Sequence, residues 1–117
     1  MTVSPSYRAY VLEQLQVIGT VTAKAMFGGV GLYCRSLFFG LIADDTLYLK
    51  VDDGNRGDYE RVGASPFRPY GDASYSMHYY ELPAEVLEDR SELRLWAEKS
   101  VAAARRKSVG RRRRPRG

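Results

Sequence analysis

Cys34 and His78 are the single thiol and the single imidazole of the chain, so they are the first candidates for chemistry. A thiolate beside an imidazole can perform nucleophilic catalysis, with the imidazole as general base. Such a pair needs a third group that orients the imidazole, and the sequence shows neither that partner nor a family signature around Cys34. We therefore expect Cys34 to be a strand residue beside a turn and His78 to be half-exposed on a strand. We predict that the protein is not an enzyme.

A glycine-rich segment at residues 28–31 is the candidate for phosphate binding. Its order is Gly-Gly-Val-Gly, and a dinucleotide fingerprint would need a further glycine where the chain has Cys34. A phosphate loop would need Gly-Lys-Ser or Gly-Lys-Thr at the start of a helix, which is also missing. The glycines are better explained by a turn between strands and by close approach of the backbone to a packed helix. We predict no bound cofactor.

Two acidic pairs, Asp44-Asp45 and Asp52-Asp53, are the candidates for metal binding. The strand between them would separate the pairs by roughly 20 Å, too far for a shared coordination sphere. A calcium loop starting at Asp52 would need a glutamate at its twelfth position, where the chain has Gly63. We interpret the aspartates as turn and cap residues and predict no metal site.

The chain has nine tyrosines and four phenylalanines, several of them in segments that alternate like strands. Aromatic sheet faces can stack single-stranded bases. However, Tyr33, Tyr48, Tyr75 and Tyr79 are also ordinary strand formers, and tyrosine combines apolar area with a hydroxyl group. We favour packing or a protein interface for them.

Residues 105–117 carry eight of the 18 Lys and Arg residues of the chain and no acidic residue. The basic residues of this tail are Arg105, Arg106, Lys107, Arg111, Arg112, Arg113, Arg114 and Arg116. The other 10 Lys and Arg face 14 Asp and Glu, which leaves residues 1–104 at −4 within a chain of net charge +4. If six of the eight cations displaced counterions from DNA, the logarithmic salt slope would be about −5. The tail therefore binds nucleic acid, is solvated, or contacts the acidic body of its own domain.

Length and composition indicate one ordinary globular domain. The chain has 117 residues, of which 44% are hydrophobic, and a single cysteine cannot form an intramolecular disulfide. The polar amino-terminal residues do not show the pattern of a secretory signal. The weakly charged segment 25–43 is nearly long enough to cross a membrane, but Arg35 and four glycines within it argue against a membrane span. We expect a cytoplasmic protein with no membrane contact.

Hydrophobic periodicity predicts the elements that position these residues. Ser4 caps a predicted helix over 5–18, and the period then changes to two. Further predictions are strands over 21–26, 30–34, 37–43 and 46–51, a helix over 56–62, a loop over 65–72, a strand over 74–82, a helical turn from 83 to 88 and a helix over 92–106.

The short links between the first four strands allow only antiparallel hairpins, although Arg35-Ser36 lacks the Gly or Asn that two-residue turns favour. In the fourth strand, we expect Tyr48 and Lys50 to face water or a partner. The order α-β-β-β-β-α-β-α predicts a two-layer α+β domain with an antiparallel meander packed against helices. We assign residues 1–106 to this domain and 107–117 to a disordered Arg-rich tail.

Several motifs resemble the amino-terminal domain of the TfoX/Sxy competence-regulator family over roughly residues 6–106. The resemblance rests on Met26-Phe27-Gly28-Gly29-Val30-Gly31-Leu32-Tyr33, Leu41-Ile42-Ala43-Asp44, Leu47-Tyr48-Leu49-Lys50-Val51-Asp52, Pro66-Phe67, Met77, Tyr79-Tyr80-Glu81 and Pro83. It implies a small α+β domain and, for these motif residues, a structural role. The family supplies no established catalytic residues.

The resemblance also implies a bacterial regulatory function. Better-known members belong to regulators of natural DNA uptake that act with the cyclic-AMP receptor protein at promoters. Those regulators carry a second, carboxy-terminal helical domain, whereas this chain has the Arg-rich segment 111–117 at that place. We therefore expect a single-domain member. The resemblance to this one domain does not by itself imply competence control. We predict a non-enzymatic adaptor that contacts a protein, with a transcription factor as the expected class, as either monomer or homodimer. The alternative is a nonspecific nucleic-acid-binding protein that uses the tail.

Overall fold

The computed structural model describes residues 3–26, 28–68 and 76–113, with only the backbone described at 76–77 and 111–113. The elements are α1 (Pro5–Leu15), continued by a 3-10 turn (Gln16–Ile18), β1 (Val21–Met26), β2 (Gly29–Cys34), β3 (Leu37–Ala43), β4 (Thr46–Lys50), α2 (Arg56–Arg61), β5 (Pro66–Phe67), β6 (Ser76–Glu81), α3 (Ala84–Glu88) and α4 (Arg90–Arg113). The predicted α+β class is confirmed.

Helix α1 begins and ends as its sequence predicts. The Ser4 hydroxyl accepts a hydrogen bond from the Tyr7 backbone N–H at 3.2 Å, and Pro5 occupies the first turn, where its missing N–H costs nothing. The last predicted turn is a 3-10 turn, and Gly19 follows it with φ 107°. This positive φ is a conformation that glycine adopts without strain.

Two tight turns join β2 to β3 and β3 to β4. Arg35 and Ser36 have φ angles of 52° and 66°, and Asp44 and Asp45 both have 52°. Positive φ at both turn residues matches the right-handed twist of the flanking strands. Arg35-Ser36 therefore makes a two-residue turn even though its side chains do not favour one.

All six strands form one antiparallel sheet in the order β1-β2-β3-β4-β6-β5. The predicted meander of the first four strands is confirmed. The predicted loop over 65–72 was wrong in part, because Pro66 and Phe67 pair with β6 as a two-residue edge strand. An edge tolerates Pro66 because the missing N–H removes no bond to a further strand. The predicted strand over 74–82 corresponds to β6, but residues 69–75 lie outside the described residues.

One hydrophobic core lies between the helices and one face of the sheet, which we call the inner face. Its fully buried apolar side chains include Val11, Leu15, Leu32, Phe39, Ile42, Leu47, Leu49, Val51, Tyr59 and Leu93. Helix α4 packs across β3 and β4, and it also contacts α1 and α3. The described helices thus cover one side of the sheet in a two-layer arrangement, as predicted.

Helix α4 is longer than the sequence predicts. It runs from Arg90 to Arg113, whereas the predicted helix covered 92–106 and the tail from 107 was predicted to be disordered. A helix that is already held by packing gains one hydrogen bond for each residue added, and cations near its carboxyl end interact favourably with the helix dipole. These effects outweigh the repulsion between like charges through residue 113. Residues 114–117 lie outside the described residues, and the division of the chain at 106 stays a prediction.

No helix within the described ranges combines the length and the apolar character that a lipid bilayer requires of a spanning segment.

We predict that the core depends on the α4 contact with the sheet. Leu93 is fully buried, whereas Leu95 on the same helix is 55% exposed. Leu93→Ala should lower the free energy of unfolding by about 2–5 kcal/mol because it removes packed methyl groups and leaves a cavity. Leu95→Ala, the matched control, should change it by less than about 0.5 kcal/mol. Urea unfolding of both variants measures the difference, and equal effects would contradict the assigned packing.

Candidate functional site

The face of the sheet opposite the core carries a group of aromatic side chains. These are Tyr33, Phe38, Tyr48, Phe67 and Tyr79, and we call them the outer aromatic face. Each of the five is half-buried. Strand alternation places them there, because their neighbours Leu32, Leu49 and Tyr80 point into the core. Among the described elements, all four helices bury their apolar residues on the opposite side of the sheet.

The outer aromatic face is packed within itself. The ring centroids of Tyr33 and Phe38 are 5.2 Å apart, and those of Phe38 and Tyr79 are 5.7 Å apart. Tyr48 and Phe67 form a separate pair at 4.9 Å. Tilted aromatic pairs at such separations contribute stabilisation beyond their buried area. The face is therefore an ordered surface of rings that still exposes part of each ring.

Lys50 lies beneath these rings. It is only 4% exposed, and its Nζ lies 4.9 Å from the centroid of the Tyr79 ring, which is a cation-π contact. Burial, together with the nearby Tyr33, raises the pKa of the Tyr79 hydroxyl to about 12. Lys50 was expected to face water or a partner. It does not face water, because the rings of Phe38 and Tyr79, on the strands to either side, approach each other across it.

The glycines of the motif have packing roles. A Cβ atom added to Gly29 would lie 2.6 Å from the Ile42 carbonyl oxygen, so this position cannot carry a side chain without a backbone shift. At Gly31, an added Cβ would lie 2.6 Å from the Met26 sulfur and 3.1 Å from the Phe38 ring. The backbone at these positions therefore approaches its neighbours closely, but these neighbours belong to β1 and β3, whereas the expected close approach was to a packed helix.

Two further motif positions, Phe27 and Gly28, directly precede these glycines. Gly28 has φ 80° in the turn between β1 and β2, and Phe27 lies outside the described residues.

The motif residue Tyr80 is on the inner face, with its ring 5.7 Å from that of Tyr59. Tyr80 is thus a core residue and does not belong to the outer aromatic face.

Cys34 and His78 are not brought together. Cys34 is 1% exposed at the end of β2, whereas His78 is an exposed residue of β6. Strands β3 and β4 lie between these two strands, so β2 and β6 are roughly 14 Å apart at the usual strand spacing. Burial lowers the pKa of His78, and the nearby Lys50, Lys107 and Arg56 lower it further. The thiol and the imidazole cannot form the hydrogen bond that a catalytic pair requires.

The acidic pairs occupy a turn and a helix start. Asp44 and Asp45 form the β3–β4 turn, and an Asp52 carboxylate oxygen accepts from the Gly54 N–H at 2.9 Å. Within the described residues, no three His, Cys, Asp or Glu side chains lie close enough to hold a metal ion.

Part of the basic tail contacts the folded domain. The Arg106 guanidinium donates to both carboxylate oxygens of Asp52, at 2.7 and 2.8 Å. This hydrogen bonding holds the pKa of Asp52 below its ordinary value of 3.8. Arg105 and Lys107 are exposed. The side chains of Arg111, Arg112 and Arg113 are not described, and Arg114 and Arg116 lie outside the described residues.

The fold and this surface define a class of protein, a small two-layer α+β domain with helices on one face of the sheet and aromatic rings on the other. The model of the TfoX N-terminal domain family matches residues 13–104. Because this match covers most of the chain, the protein belongs to that family. A comparison with curated proteins found no match.

We predict that the Arg106–Asp52 ion pair gives the domain a pH-dependent increment of stability. Arg106→Gln should lower the free energy of unfolding at pH 7 by at most about 1 kcal/mol, because the pair is partly exposed and screened. A carboxylate with a lowered pKa stabilises the fold above its unfolded pKa, here near 3.8, and loses that effect as the pH falls through its folded pKa. The difference from the wild type should therefore be largest above about pH 4 and should diminish as the pH falls toward 2.

Chemical denaturation from pH 2 to pH 7 measures this effect. Arg105→Gln is the matched control, because it removes the same charge from the exposed neighbouring position. A stability loss that is the same at every pH, or the same in both variants, would contradict the proposed ion-pair contribution.

Proposed function

We propose that this protein is a non-enzymatic adaptor domain in transcriptional regulation that binds another protein through the outer aromatic face. The observation that carries this proposal is the set of five half-buried aromatic residues on a sheet face that the described helices leave uncovered. Aromatic residues are enriched in the buried centres of protein interfaces, and tyrosine offers apolar area and a hydroxyl group together.

The electrostatics of the domain favour a protein over nucleic acid at this face. Residues 1–104 have a net charge of −4, which opposes binding to phosphate backbones. Single-stranded nucleic-acid sites combine stacking rings with a positively charged groove. On this face, Lys50 is buried beneath the rings and Glu81 is exposed beside Tyr48. The net negative charge, the buried Lys50 and the exposed Glu81 together support recognition of a protein surface at this face.

The non-enzymatic part of the proposal is supported by the separation of Cys34 and His78. The regulatory part is supported by membership in the TfoX N-terminal domain family together with the resemblance to competence regulators. A transcription factor is the expected class of partner. We expect this contact to occur in the cytoplasm.

The test places a photoreactive phenylalanine analogue at Tyr48 of the full chain in the cells that produce it. Tyr48 packs against Phe67 on the outer aromatic face, and the control position is Leu95, which is exposed on α4. We expect a discrete crosslinked protein, identified by mass spectrometry as a transcription factor, from Tyr48 and not from Leu95. Crosslinks that are identical at both positions would contradict the proposed surface.

The purified partner then allows a quantitative measurement. Tyr48→Ser should weaken binding at least about tenfold if the ring lies at the centre of the interface. Leu95→Ser should leave the dissociation constant unchanged. Isothermal titration calorimetry measures both, and an unchanged affinity for Tyr48→Ser would remove the outer aromatic face from the proposal.

A second candidate function is nonspecific nucleic-acid binding, and the length of α4 favours it. The helix backbone continues through Arg113, so Arg105, Lys107 and the residues 111–113 belong to one continuous element. Duplex DNA binding by such a segment would come from counterion release and would be independent of base sequence.

Titration of labelled duplex DNA at two salt concentrations tests this candidate. A triple variant that replaces residues 111–113 with glutamine should reduce the magnitude of the logarithmic salt slope by about 3. A triple variant of Arg8, Arg61 and Arg94 to glutamine removes the same charge from exposed positions elsewhere and should leave the slope unchanged. Equal slopes for the wild type and the tail variant would eliminate this function.

A further inference from the structure

A cavity of about 210 Å³ lies where the end of the sheet meets the carboxyl-terminal part of α4. It is lined by Ser36, Leu37, Phe38, Lys50, Tyr79, Ala104, Lys107 and Ser108. The β3–β4 pairing ends at Gly40 and Leu49, so Lys50 lies just beyond it and pairs only with Tyr79 of β6. The end of the β3–β4 pairing leaves space beside Lys50 that α4 borders.

The lining of this cavity is basic and rich in donors. Lys50 is 4% exposed, so its ammonium group lies where water is largely excluded. Lys107 contributes a second ammonium group from α4. Ser36 and Ser108 add hydroxyl groups. None of the eight described residues that line the cavity is acidic. Such a set of groups is complementary to an oxyanion.

Lys50 and Lys107 also act together on a nearby group. With Arg56, they are near enough to His78 to lower its pKa, after the larger effect of burial. Arg56 is ion-paired with Asp53 at 2.6 Å, so the positive potential at the cavity comes from Lys50 of β4 and Lys107 of α4. Charged groups that converge around a partly enclosed cavity attract counter-ions more strongly than the same groups spread over an open surface.

The size of the cavity restricts the ligand. A water molecule occupies about 30 Å³ in the liquid, so the cavity has space for several waters or for one small polar group. Sites for drug-sized molecules occupy roughly 300–1,000 Å³. A phosphate monoester carries a charge of about −1.5 to −2 and three acceptor oxygens, which matches two ammonium groups and two hydroxyls better than a carboxylate does.

We propose that this cavity is a binding site for the phosphate group of a phosphate monoester. Lys50 and Lys107 supply the positive charge, Ser36 and Ser108 donate hydrogen bonds, and the Phe38 and Tyr79 rings contact the short substituent that the phosphate carries. The site adjoins the outer aromatic face, because Phe38 and Tyr79 belong to both and Lys50 lies beneath their rings. It does not depend on the proposed protein contact, because the purified chain alone should bind the anion.

The experiment is a nuclear magnetic resonance titration of the isotopically labelled full chain. Inorganic phosphate, O-phosphoserine and acetate are added separately at constant ionic strength, with sodium chloride as the balancing salt. We expect saturable shifts of the Leu37, Phe38 and Ser108 amide signals, with phosphate monoesters binding at least about fivefold more tightly than acetate. Shifts that do not saturate, or equal affinity for acetate, would overturn the proposal.

Matched variants assign the binding to the cavity. Lys50→Met and Lys107→Met should each weaken phosphate binding at least about tenfold, because each removes a charge-assisted hydrogen bond. Arg105→Met removes an exposed charge two residues before Lys107 and should have less than a twofold effect. An equal loss in the Arg105 variant would indicate nonspecific attraction to the basic helix and would refute the site.

One further variant keeps the test valid if Lys50→Met fails to fold. Ser108→Leu leaves every charge in place and fills the cavity from a half-exposed helix position. It should also weaken phosphate binding at least about tenfold, and unchanged binding in a folded Ser108→Leu protein would overturn the proposal.

A phosphoserine peptide distinguishes the source of the phosphate. Tighter binding of the peptide than of free O-phosphoserine supports a modified protein as the natural ligand, whereas equal binding supports a small metabolite. Either result requires that the phosphate group binds in the cavity.

Discussion

The packing of α4 across the inner face of the sheet is the contact on which the other features depend. Leu93, Ala97, Val101 and Ala104 all face the core, and they recur at the spacing of one helical face. This stripe orients the helix so that its carboxyl-terminal part passes the end of β4. The same contact therefore closes the core, brings Arg106 to Asp52 and forms one wall of the cavity beside Lys50.

The outer aromatic face is a consequence of covering only one side of the sheet. A strand alternates its side chains, so every residue committed to the core places its neighbours on the opposite face. Here those neighbours include tyrosines and phenylalanines that pack against one another and bury Lys50 beneath them. A face made of rings is stable without a helix above it and remains available for contact.

Much of the fold was predictable because its signals are local. The Ser4-Pro5 helix start, the meander and the buried stripe of α4 all depend on residues within a few positions of one another. The strand Pro66–Phe67 was not predictable, since two residues carry no periodicity and their pairing with β6 is a long-range contact. The extension of α4 to Arg113 was missed for a related reason, because charge repulsion is visible in the sequence and the support from a packed helix is not.

The features of the candidate site also fall into two groups, those that local sequence signals predict and those that depend on long-range packing. Local sequence signals were enough to place Gly28 in a turn between strands, to assign the aspartates to turns and caps, and to predict tyrosines that alternate on strands. The separation of Cys34 and His78 on different strands and the burial of Lys50 beside Lys107 emerged only when the whole chain was folded. Conformational preferences act between near neighbours, whereas burial and electrostatic environment depend on which distant elements pack together.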